Sequence, residues 1–125
     1  MVKAFVSALV GFLIFIGASV FETVYVTKSF NNFHTLLSTA YEKIESETAV
    51  KEDVLTAQEF WIKKKESLHM FIPHNDIKEI DLWVTEAVTL VEKEMWNEAL
   101  SKIEVCIELV EQIPKTFLLR IENIL

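Results

Sequence analysis

Four side chains lie close enough along the chain to do chemistry together: His69, His74, Asp76 and Asp81. Imidazole and carboxylate can ligate zinc or a similar ion, and His with Asp can do acid–base work, so the catalytic alternative is a metal-dependent enzyme centred on His74 and Asp81. The spacing argues against both. No H-x-x-x-H pair occurs, and His74 and Asp76 flank a helix start, where capping and the helix dipole already account for polar residues. His69 stands one turn earlier among apolar neighbours, and His34 is isolated on a long helix and reads as solvated. Cys106 is the single cysteine, which excludes an internal disulfide and a cysteine metal cluster. Val105, Ile107, Leu109 and Val110 around it predict a buried thiol on a helix. The two glycines, Gly11 and Gly17, cannot build a phosphate loop. The chain is expected to be non-catalytic, with no metal and no cofactor.

The element that organises the rest is an apolar run of eighteen residues from Ala4 to Phe21, between Lys3 and Glu22. Its bulk comes from Ala4, Phe5, Leu9, Phe12, Ile14, Phe15, Ile16, Val20 and Phe21, and its only polar side chains are Ser7 and Ser19. As a helix it spans roughly 27 Å, close to the hydrocarbon thickness of a bilayer. Residues 1–25 are read as a single-pass anchor in the cytoplasmic membrane. Lys3 before the run and Glu22 after it place the N-terminus inside and the remainder outside. The rival is a cleaved secretory signal with small residues at Gly17-Ala18-Ser19, which would leave a secreted helical protein. The length of the run and the large residues Phe21, Val24, Tyr25 and Val26 directly after it favour an uncleaved anchor.

Residues 26–125 form an acidic domain. All nineteen Asp and Glu lie at or after residue 22, against eleven of the twelve Lys and Arg, a net charge of −8 that disfavours nucleic acid. The apolar positions recur at helical period throughout, so the fold expected is all-α: the transmembrane helix continuing into a small antiparallel helical bundle of hairpins. Val26, Phe30, Phe33, Leu37, Ala40 and Ile44 make a 4-3-4-3-4 seam, which serves the chain's own bundle or a homo-oligomer. Helices are expected over about 26–45, 52–72, 76–93, 95–113 and 115–124. Ser46 and Thr48 are the N-cap candidates of the second, Pro73 and Asn75 mark the start of the third, and Pro114 is expected to stop the fourth. The last carries Phe117, Leu118, Ile121, Ile124 and Leu125. Lys63-Lys64-Lys65 reads as a solvated face balanced by Glu59 and Glu66.

Trp83, Ala87, Ala99 and Pro114 fall near the spacing of a tetratricopeptide hairpin, but one unit is present where arrays need about three, and the proline comes late. A groove between hairpins lined by Trp61, Trp83 or Trp96 is the ligand- or peptide-sensing alternative.

Phe71-Ile72-Pro73-His74, Ile77, Ile80-Asp81, Trp96-Asn97-Glu98-Ala99-Leu100, Ile113-Pro114 and the closing Glu122-Asn123-Ile124-Leu125 resemble a pattern in a family of short, N-terminally anchored helical proteins. That family, found mainly in clostridia and related endospore formers, is catalogued as a domain of unknown function. Its pattern has Asp where Pro73 stands here, so the turn departs from it. The resemblance covers nearly the whole chain and supplies no ligand or catalytic residue. It implies a membrane partner, a multi-pass protein encoded nearby. The expectation is thus an accessory or interaction subunit, held in the lipid bilayer and bound to another membrane or envelope protein.

Overall fold

The computed structural model describes residues 1–124, with Ile124 by its backbone alone; Leu125 lies outside the described residues. Four helices follow one another: α1 (Val2–Glu45), α2 (Lys51–Leu68), α3 (His74–Glu92) and α4 (Trp96–Ile124). No strand occurs among the described residues, and the chain is an all-α bundle. α1 packs on α2 and α4, and α3 closes the ring between them, in up-and-down order.

The 44 residues of α1 do two different things. Up to Val24 its large apolar side chains stand exposed, and from Val26 onward every residue of the predicted seam is buried. Val26, Phe30, Phe33, Leu37, Ala40 and Ile44 all face α2 and α4, with Ser29 beside them, so the seam is consumed within one chain. α2 brings Val54, Ala57, Trp61 and Leu68 to the same core. α3 adds Ile77, Ile80, Val84, Ala87, Val88 and Val91. From α4 come Ala99, Ile103, Cys106, Val110, Ile113 and Phe117. Rings fill the centre: Phe33 stacks on Trp61 at 5.2 Å and on Phe60 at 6.0 Å, and Phe30 tilts against Trp61 at 6.2 Å. Each large side chain so buried contributes about 1.5–3 kcal/mol.

Pro114 does not stop α4; the helix runs through it to Ile124. An interior proline removes one backbone bond and costs about 3 kcal/mol. Ile113 and Phe117 are buried on either side of it, and half-buried Ile121 follows on the same face. Breaking the helix would expose that face, so packing outweighs propensity. The predicted helix over 115–124 is therefore the end of α4.

The caps also differ from expectation. Ser46 and Thr48 do not cap α2 but bond backward to α1, Ser46 Oγ donating to the Glu42 and Lys43 carbonyls at 3.2 and 3.1 Å. The N-cap of α2 is Val50, whose N–H is taken by the Asp53 carboxylate at 2.8 Å. Pro73 is the N-cap of α3, so the helix begins two residues before the position expected from Asn75. α2 ends at Leu68, and residues 69–72 form a turn that the sequence pattern had joined to the helix.

Two connections lie at one end of the bundle. After α1, the Thr48 N–H bonds to the Lys43 carbonyl and the Glu47 N–H to that of Ile44; after α3, Met95 bonds to Leu90 and Glu94 to Val91. Both are Schellman turns. The residue at the left-handed position, φ 57° in each, is glutamate: Glu47 and Glu94. We call this end the tip. The opposite end, with Val26, the α2–α3 turn and the last turns of α4, is the base.

Candidate functional site

Asp81 is tied on both oxygens to α2. Trp61, 1% exposed, donates its indole Nε1–H to Oδ1 at 2.6 Å, and Lys65 Nζ donates to Oδ2 at 3.2 Å. The pair joins α2 to α3 and satisfies an indole that the aromatic core would otherwise strand. His74 is hydrogen-bonded to His69, Nδ1 to Nε2 at 2.8 Å, with the rings edge to face. One ring must donate and the other accept. His69, His74 and Asp81 do line one open pocket of about 440 Å³ with Lys65, Glu66, Ile77 and Lys78. Asp76 is not part of it. Among the described residues, no group of three His, Cys, Asp or Glu could hold a metal ion.

The three tryptophans do not share a groove. Trp61 is core; Trp83 is half-buried under Lys102, whose Nζ lies 4.6 Å from the ring centroid; Trp96 is half-buried at the start of α4. The lysine run is not balanced by Glu59 and Glu66. Lys65 meets Asp81, and Lys64 Nζ lies 5.6 Å and 6.0 Å from the Tyr25 and Phe60 ring centroids. His34 is not isolated either, since Nε2 reaches Glu111 Oε1 on α4 at 2.9 Å. Lys43–Asp53, Lys51–Glu92 and Lys102–Glu86 complete a set of ion pairs that links each helix to its neighbours around the ring. Sequence spacing could not reveal these pairs, because every one spans two helices.

Cys106 is fully buried, as its neighbours predicted, and burial pushes its thiol up to about 12. It is inert as a nucleophile.

What distinguishes the molecule is its N-terminal half-helix. The nine bulky anchor positions, Ala4, Phe5, Leu9, Phe12, Ile14, Phe15, Ile16, Val20 and Phe21, are all exposed. α1 is long and apolar enough there to cross a membrane, and none of that stretch is buried by the bundle. A Cβ added at Gly11 or Gly17 would meet nothing within 4 Å. Thr23 returns its hydroxyl to the Ser19 carbonyl at 2.9 Å, which satisfies it without solvent.

Charge divides along the bundle axis. In the base half (residues 22–33, 60–83 and 111–124) seven acidic side chains meet seven basic ones. The tip half (34–59 and 84–110) holds twelve acidic and four basic side chains, so the net charge of −8 carried from residue 22 onward lies there. The neutral end is the one that joins the apolar half of α1.

No curated protein and no solved structure matches the chain significantly. A family model does, over residues 20–124, from the end of the apolar run to the end of α4. The chain belongs to the family described as Domain of unknown function (DUF4363).

Proposed function

We propose that this protein is a single-pass, membrane-anchored and non-catalytic helical subunit that binds or braces another membrane or envelope protein. The observation that carries this reading is the continuity of α1. One unbroken helix begins as an exposed apolar rod and ends as the central seam of the bundle. A loop between the two would let the domain swing freely; a helix fixes its height and rotation relative to the rod. Such rigidity serves positioning against a neighbour, and the engagement of His74 and Asp81 in structural bonds fits a role without chemistry. Lys3 ahead of the apolar run favours an N-terminus inside and a bundle outside the cytoplasmic membrane.

Crosslinking of the tagged full-length protein in its own membrane, followed by mass spectrometry, tests this. The expected result is one dominant membrane protein in near-stoichiometric yield. Recovery of the chain from the soluble fraction with residues 1–19 removed would show a secreted protein instead. Full function in cells from residues 28–125 alone would sink the anchoring role.

A further inference from the structure

α4 is too long for its bundle. α2 and α3 have 18 and 19 residues, whereas α4 has 29, an excess of about 15 Å. The edge contact of Phe117 with Phe71, 6.3 Å between ring centroids, marks where α4 passes the α2–α3 turn. Beyond Phe117 it runs alongside α1, and Ile121 sits with Ile16, Ser19, Val20, Thr23 and Val24 around an apolar crevice of about 200 Å³. Ile121 is therefore level with Val20, inside the apolar run. If that run lies in hydrocarbon, the end of α4 cannot lie in bulk water.

The side chains of this end agree. Leu119 is 59% exposed, Met70, at the α2–α3 turn, 80% and Leu118 36%; on α1 Phe21 and Val24 are exposed too, and Val24 lines the crevice with Ile121. Lys115 and Arg120 flank the leucines, with stems long enough to hold their charges among phosphates while the leucines go deeper. The base carries no net charge to oppose approach to an anionic surface.

We propose that the base of the bundle is itself embedded in the bilayer interface, where Leu118, Leu119 and Met70 contact phospholipid at the boundary of headgroups and acyl chains. This rests on the anchoring of α1 and adds a second membrane contact to it. The bundle stands on the lipid rather than above it, and the exposed apolar side chains of α1, the α2–α3 turn and α4 share one occupant. An amphipathic segment of this kind buries its apolar face about 5–10 Å into the interface.

The test places a nitroxide label, one at a time, at Phe12→Cys, Met70→Cys, Leu119→Cys and Thr89→Cys in the full-length protein, in vesicles of phosphatidylcholine and phosphatidylglycerol. The unsubstituted chain gives the labelling background of Cys106, and circular dichroism confirms the helix content of each variant. Collision with oxygen is compared with collision with a water-soluble nickel chelate. The expected oxygen-to-nickel ratio is highest at 12, several-fold above position 89 at 119 and 70, and lowest at 89. A high ratio at 12 with water-like ratios at 70 and 119 overturns the interfacial base and leaves the anchor standing. Loss of collisions with both agents at 70 and 119 overturns it in favour of a protein partner covering this surface. A water-like ratio at 12 removes the anchor and the inference together.

Discussion

The indole of Trp61 on α2 and the carboxylate of Asp81 on α3 are joined by a hydrogen bond of 2.6 Å at the margin of the aromatic core. It is the polar fixing point of a cluster that is otherwise held by rings. Replacing Trp61 by Phe keeps most of the packing and removes the donor, which is expected to cost about 1.5–3 kcal/mol because the acceptor is charged. Trp61→Ala adds a cavity beneath Phe33 and is expected to cost about 3–5 kcal/mol. Urea unfolding of the detergent-solubilised chain, followed by circular dichroism, measures both.

Glu47 and Glu94 hold left-handed backbone that a side chain disfavours. Glu94→Gly is expected to raise stability by about 1 kcal/mol, and Glu47→Gly by a similar amount. The gain has two sources, since each change also removes a negative charge from a helix C-terminus, where the dipole opposes it. A fall in the urea midpoint of either variant contradicts this account of the turns.

Asp53 is expected to contribute to the acid limb of stability. Its hydrogen bond to Lys43, and then the N–H of Val50, hold its carboxyl below the ordinary value of 3.8, with burial opposing weakly. A depressed folded value means that the stabilisation is complete well above 3.8 and fades as pH falls through 3.8 to the folded value. Asp53→Asn is expected to unfold at lower urea at pH 7 and to lose less stability than the parent between pH 5 and pH 3. Parallel acid titrations that keep a constant gap between the two proteins would contradict the assignment.

Cys106 is expected to resist maleimide in the folded protein at pH 8 and to react within minutes in denaturant, because burial both shields the thiol and keeps it protonated. Labelling followed by intact mass checks it. Rapid native labelling would show that α4 opens locally.

The helix seam and the core were legible in the sequence because they are periodic. All six seam residues of α1 are buried, and so are the main apolar positions of the other helices. Phe60, Trp83 and Leu90, apolar and at helical spacing from core positions, are half-buried, because a narrow four-helix ring leaves room for only one fully buried stripe per helix. The end of α4 departs from the sequence expectation because Pro114 is a local signal, and what overrides it is the packing of Phe117 and Ile121, which no local window contains. The partners of the candidate site were out of reach of the sequence for the same reason. His74 and Asp81 are seven residues apart, but their partners His69, Trp61 and Lys65 come from α2 and its turn. The caps escaped because Asp53, three residues into its helix, replaces the N-cap side chain that the pattern sought.

The continuity of α1 also sets a stand-off distance. From Val26 to Glu45 the helix climbs about 30 Å, so the two glutamate turns ride that far from the end that joins the apolar rod. At physiological ionic strength a fixed charge is felt over only about 8 Å. With the rod in a bilayer, the acidic tip is electrically out of sight of the lipid beneath it, whatever the composition of that leaflet. Its field is presented only to what comes within reach at that height.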